Sequence, residues 1–205
     1  MKLYFAPDTC SFAPHIVLQE LGLPYDLVRV NNRTKRTSDG GDFLAVNPKG
    51  YVAALQLDSG EILTEGPALV QYLADLKPEA GLSPPNGTME RVRLQEWLNF
   101  ITAEIHAGSV PLFNKDLPDA VHELFKSRLD KRFGFIQETL ATRNYLTGER
   151  FTVADAYLFT VLGWMPGFGT DLDRWPEIAA FIRRVADRPS VSAALKREDE
   201  ISPVS

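Results

Sequence analysis

The stretch Lys77-Pro78-Glu79-Ala80-Gly81-Leu82-Ser83-Pro84-Pro85-Asn86-Gly87 contains three prolines and two glycines. No hydrophobic period survives across it, which marks a linker and divides the chain. Beyond the linker every patterned segment reads as helix. The candidates lie near 88–110, 119–142, 152–165, 175–187 and 190–198, with breaks at Pro118, Gly148, Pro166 to Gly169 and Pro189. The division predicts a first domain over residues 1–80 and an all-α domain over residues 87–205.

Ahead of the linker the patterns alternate in kind. Apolar Leu3 to Phe5 is followed by a helical stretch from about Ser11 to Leu21, then by the strand-like run Tyr25 to Val30 and a polar basic loop holding Arg33, Lys35 and Arg36. A short segment, Asp42 to Val46, precedes Val52 to Leu57, the turn Asp58-Ser59-Gly60, the pair Ile62-Leu63 and a helix from about Glu65 to Leu76. The order is βαβαββα, an α/β unit of thioredoxin type. A sheet of about four strands needs both faces covered, so the unit is expected to lean on helices.

Composition excludes several classes of function. The chain has 205 residues, 44% hydrophobic and 24% charged, an ordinary globular balance. Acidic residues number 27 against 22 basic ones, and the formal charge of −5 argues against nucleic acid or an anionic membrane as the main partner. The start, Met1 to Asp8, meets a proline and an acid before a long apolar run can form. Neither a signal peptide nor a membrane anchor is therefore expected, and the reading is a cytoplasmic protein. One cysteine excludes an internal disulfide and suits a reducing compartment.

Three places can carry chemistry. Cys10 precedes a helix whose expected cap is Ser11, so its sulfur would lie near free N–H groups and the positive dipole end, which favours a thiolate. A buried small hydrophobe is the alternative. Thr64-Glu65-Gly66-Pro67 opens the next helix: Gly66 lets a ligand approach the backbone, an N–H there can hold a carboxylate, and Glu65 can pair with an amine. The alternative is a plain acidic helix start. In the long helix after the linker, Leu94, Trp97, Leu98, Ile101 and Ile105 gather on one face at about 100° per residue, and that face is core. Asn99, Ala103 and His106 follow at spacings of four and three along the opposite face, with Glu104 turned toward another surface, a candidate subunit contact. His15 and His122 have no companion at metal-ligand spacing, and no phosphate-cradling glycine loop occurs, so neither metal nor nucleotide is expected. Thr152 to Asp155 reads as a capping box behind Phe151. Phe113, Trp164 and Phe168 can line a pocket or serve as core or dimer contacts, and core is the default expectation for such residues.

Taken together, Cys10, Asn47-Pro48-Lys49-Gly50, Thr64-Glu65-Gly66, Gln71-Tyr72-Leu73-Ala74-Asp75, Glu96-Trp97-Leu98-Asn99 and Phe151 to Thr160 resemble the bacterial beta-class glutathione S-transferases in order and spacing. The resemblance runs from residue 1 to about residue 195. It implies a glutathione-transferase fold and a homodimer. It also implies that a glutathione thiolate attacks a small hydrophobic electrophile. By that likeness Cys10 and His106 are the catalytic pair that stabilises the thiolate, and Glu65 with Gly66 holds the γ-glutamyl end. Val52 pairs its backbone with the cysteinyl part, while Lys35, Asn99, Ala103 and Glu104 add contacts.

The chain departs from the family pattern at three positions. Phe5 stands where a tyrosine is usual, and Tyr4 is no substitute, because neighbouring strand residues point to opposite faces. Ala107 replaces a lysine, and Tyr51-Val52-Ala53 stands where a valine precedes a cis-proline. A cis bond before a residue other than proline costs about 2.5–4 kcal/mol, so Val52-Ala53 is expected to be trans unless packing holds it otherwise. Two other readings remain open on these residues: thiol-disulfide exchange or peroxidase chemistry through Cys10, and a non-catalytic binding module.

Overall fold

The computed structural model of the chain describes residues 1–201 and 203; residues 202, 204 and 205, at the tail of the predicted all-α domain, lie outside the described residues. The chain divides into two compact units, one comprising Met1–Gly81 and the chain from Ala186 onward, the other Leu82–Val185.

The first unit is a mixed four-stranded sheet. Strand β1 (Lys2–Phe5) pairs in parallel with β2 (Asp26–Arg29), and β3 (Ala54–Gln56) runs antiparallel to both β1 and β4 (Ile62–Thr64), giving the order β2-β1-β3-β4. Helices α1 (Phe12–Leu21), α2 (Phe43–Val46) and α3 (Gly66–Leu76) complete the βαβαββα order read from the sequence. Alternation along β1 sets the two faces. Phe5, fully buried, meets the ring of His15 on α1 at 6.4 Å, whereas Tyr4 meets Phe43 on α2 at 5.7 Å. Tyr4 therefore lies across the sheet from Phe5, and its hydroxyl donates to Gln56 Oε1 at 3.2 Å. Helix α1 stops at Gly22, whose left-handed φ of 57° is the conformation a glycine adopts without penalty.

The second unit is helical. Its helix α4 (Met89–Phe100) starts at Thr88, whose side chain accepts the Arg91 N–H. The single helix expected over 88–110 is not found. The chain instead passes through a π-helical turn over Ile101–His106, a short α5 (Ala107–Ser109) and a 3₁₀ turn over Val110–Phe113. Leu94, Leu98, Ile101 and Ile105 are buried as expected, but Trp97 is only half-buried and packs on Phe100 and Phe135 at 5.7 and 5.5 Å. Helices α6 (Asp119–Leu140), α7 (Val153–Leu162) and α8 (Pro176–Ala186) follow. Nine residues of α7 are buried, so it forms the axis of this unit's core.

At the start of α7 the predicted capping box forms, with Asp155 Oδ2 accepting both the backbone N–H and the hydroxyl of Thr152 at 2.8 Å. Its Oδ1 takes the Leu146 N–H at 2.8 Å, and complete burial pushes the carboxyl pKa up to about 6. The last helix, α9 (Pro189–Asp199), groups with the first unit rather than with the helices before it. Glu198 accepts from or donates to His15 Nδ1 at 2.8 Å in a buried pair, and Arg188 forks onto Glu20 at 2.7 and 2.8 Å. Among the described residues no helix is long and apolar enough to cross a membrane.

Candidate active site

In the first unit two of the candidate residues, Lys35 and Cys10, meet on the chain from Gly50 to Ala53. Each of three successive carbonyls accepts a side chain: Gly50 O takes Lys35 Nζ at 2.8 Å, Tyr51 O takes Asn47 Nδ2 at 2.8 Å, and Val52 O takes the Cys10 thiol at 3.2 Å. Within this laced segment the Val52-Ala53 peptide is cis, the packed exception to the expected trans bond. Val52 and Ala53 are both buried.

Cys10 occupies the turn between β1 and α1, but not in the state its position predicts. Burial pushes its pKa up to about 11, more strongly than the Ala53 N–H and its own N–H lower it, and the Glu65 carboxylate raises it further. Desolvation outweighs the helix end, so the side chain is a thiol near neutral pH and donates to Val52 O. Ser11 is likewise not the side-chain cap that was expected. Its backbone is already helical (φ −66°, ψ −15°), and its hydroxyl ties the turn instead, bonding Ala6 and Thr9.

Glu65 precedes α3 with φ 70°, and Gly66 is the first residue of that helix. Positive φ at a residue other than glycine is uncommon. Among the described residues it occurs only at Asp8, Lys35 and Glu65, and two of these are expected glutathione contacts. The Glu65 carboxylate is 70% exposed and is held by Lys49 Nζ at 2.6 Å, which also donates to Thr64 Oγ1 at 3.0 Å. Lys49 lies in the Asn47-Pro48-Lys49-Gly50 stretch, where the sequence alone assigns it no role. Its sign beside an expected amine-binding carboxylate was the available signal.

In the second unit His106 lies at the end of the π turn, half-buried. Its Nδ1 is 2.6 Å from Tyr157 Oη on α7, and the Trp164 ring stands 4.9 Å away. Burial lowers the imidazole pKa, so the ring is neutral around pH 7. Tyr157, almost wholly buried, was not among the expected site residues; a tyrosine in a largely apolar helix needs a partner for its hydroxyl, and that was the signal. Phe113, Trp164 and Phe168 are not core. Phe113 is 53% exposed, and it meets Trp164 at 5.4 Å and Phe168 at 4.7 Å, extending an aromatic cluster from His106.

The stripe expected along Asn99, Ala103 and His106 is broken, because the π turn changes the number of residues per turn between them. Asn99 Nδ2 donates back to Gln95 O at 2.8 Å, and Ala103 is exposed. Glu104 pairs within its own unit, with Arg132 Nη2 at 2.6 Å and Nε at 2.7 Å. Among the described residues no group of three or more potential ligands could hold a metal ion.

Residues 9–76 match the family model described as glutathione S-transferase, N-terminal domain, and residues 100–189 match that of the C-terminal domain. Glutathione S-transferase GstA of Escherichia coli O157:H7 is 45% identical over 97% of this chain and 98% of its own length. Among solved structures, the ternary complex of BphK, a bacterial GST, is 48% identical with a TM-score of 0.95, covering 97% of this chain and 100% of that one. The beta-class glutathione S-transferase of Sphingomonas chungbukensis is 45% identical with a TM-score of 0.93 over 97% and 98% of the two chains. A sphingomonad glutathione S-transferase complexed with glutathione is 42% identical with a TM-score of 0.94, over 98% and 100%. The fold is that of these proteins, and the chain belongs to the glutathione S-transferase family, in its bacterial beta class.

Proposed function

We propose that this protein conjugates glutathione to small hydrophobic electrophiles. The observation that carries the reading is the arrangement around Gly50 to Ala53, where Lys35, Cys10 and the Glu65–Gly66 helix start surround backbone suited to an extended tripeptide. Glu65 takes the α-amino group of the γ-glutamyl residue, displacing Lys49. Gly66 N–H faces the neighbouring carboxylate at the start of α3, where the helix dipole favours negative charge. Val52 meets the cysteinyl part and Lys35 supplies a cation. The family likeness gives His106 a part in stabilising the thiolate; within its own unit Tyr157 fixes the ring, and Asn99, Ala103 and Glu104 lie on the adjoining segment. The aromatic cluster of Phe113, Trp164 and Phe168 offers an apolar face to the electrophile.

In the reaction the glutathione S–H gives up its proton to solvent. The thiolate then forms a C–S bond, and the leaving group departs with the bonding electrons. Cys10, a thiol by its environment, acts as a hydrogen-bond donor toward that sulfur and is not itself alkylated. The working protein is taken to be a cytoplasmic homodimer that needs neither metal nor nucleotide. Cys10→Ala tests the reading. Conjugation of an aryl halide is expected to persist at a reduced rate, whereas glutathione-dependent disulfide exchange, if Cys10 were its nucleophile, would vanish. Complete loss of conjugation in a folded Cys10→Ala protein that still binds glutathione would favour the covalent role.

A further inference from the structure

We propose that the helical unit carries a second binding site, for a compact organic anion, in the cavity bounded by Leu112, Lys115, His122, Lys126, Gly167 and Phe168. The cavity measures about 190 Å³ and its lining divides into two chemistries. Leu112 and the Phe168 ring form an apolar wall, and Gly167 leaves open space where a side chain would otherwise stand. Opposite in character are Lys115, Lys126 and His122, which bring the basic side chains to its lining.

Among the described residues no carboxylate lines the cavity. The acid that engages one of its cations is Glu123, which meets Lys126 at 3.4 Å on the same helix with a side chain 73% exposed. A solvated pair of that kind is weak and leaves the ammonium free to exchange partners. Asp116 and Asp119 are the other acids on this stretch of chain, and both are exposed. Asn114 O lies 2.9 Å from His122 Nε2 and accepts from it, which fixes the ring orientation.

A ligand that satisfies both halves bears a carboxylate or sulfonate on a small aryl or alkyl body. Its charge rests on the lysines and its body lies against Leu112 and Phe168. Inorganic phosphate would leave the apolar wall bare, and a neutral arene would make no use of the two cations. None of Cys10, Lys35, Val52, Glu65 and His106 lines this cavity, so the site does not rest on the glutathione contacts, and Phe168 is the one residue it shares with the proposed electrophile face. Phe168 links it to the aromatic cluster through its contact with Phe113.

The chain has three histidines, so imidazole ¹H–¹⁵N spectra of the full-length protein report on the site directly, with His122 assigned from a His122→Asn variant. Phenylacetate is expected to shift the His122 resonances saturably. The Lys115→Gln/Lys126→Gln protein, both of whose changes lie at the surface, should bind it roughly tenfold or more weakly. The matched alcohol, 2-phenylethanol, and inorganic phosphate should each shift His122 far less. An absent or non-saturating His122 response overturns the proposal, as does an equal response to the alcohol or to phosphate. A shift confined to His106 would also overturn it by placing the anion beside the aromatic cluster instead.

Discussion

Asp155→Ala is expected to destabilise the protein by about 3 kcal/mol at neutral pH and to lower its thermal midpoint by roughly 6–12 °C. The residue is fully buried, and its two oxygens hold the Leu146 N–H, the Thr152 N–H and the Thr152 hydroxyl. Truncation leaves three buried donors without that acceptor, each costing about 1–3 kcal/mol, and release of a buried charge offsets part of the sum. The same group gives the stability a pH dependence. Burial raises its pKa to about 6 in the folded chain, above the value of about 3.9 for an unfolded aspartate, so between these values the folded state binds the proton more tightly. Stability from this group is thus greatest below about pH 4, falls as pH rises to about 6, and is level above that. The whole window amounts to about 3 kcal/mol. Urea unfolding of both proteins at pH 5 and pH 7 should show a larger deficit for Asp155→Ala at pH 5. An equal deficit at the two values would mean that the carboxyl is not held in its neutral form by burial.

Glu65→Ala is expected to raise the dissociation constant for glutathione by roughly tenfold to a hundredfold, the cost of a lost hydrogen bond between charged groups. Its side chain is 70% exposed, so the fold should be unaffected, and a melting midpoint within a degree or two of the parent would confirm that. Alanine retains the restriction on φ at a position held at 70°, so the change isolates the carboxylate from the backbone. Lys49, which occupies the carboxylate in the free protein, supplies the contrast. Lys49→Ala removes a competitor for Glu65 and should not weaken binding. Loss of affinity in Lys49→Ala but not in Glu65→Ala would reverse the roles given to the two residues.

Periodicity made the order of elements legible. The alternation at Leu3 to Phe5, the helix opening at Thr64-Glu65-Gly66-Pro67 and the capping box at Thr152 to Asp155 each rest on local rules that the fold obeys. What escaped depended on non-local or non-ideal geometry. The π turn over Ile101–His106 follows from no local signal, and it dissolves the face on which Asn99, Ala103 and His106 were expected to align. The ionisation of Cys10 was misjudged because a helix terminus can be read from sequence, whereas desolvation by the surrounding chain cannot. Tyr157 and Lys49 lie within stretches that carry the family likeness. Their roles became apparent only once folding brought them to His106, 51 residues away, and to Glu65, 16 residues away.

Glutathione use is the central claim, and a calorimetric titration of glutathione into the unaltered protein at neutral pH tests it most directly. Saturable binding at one site per chain is expected. A titration showing no heat of binding and no protection against thermal unfolding at millimolar glutathione would contradict it.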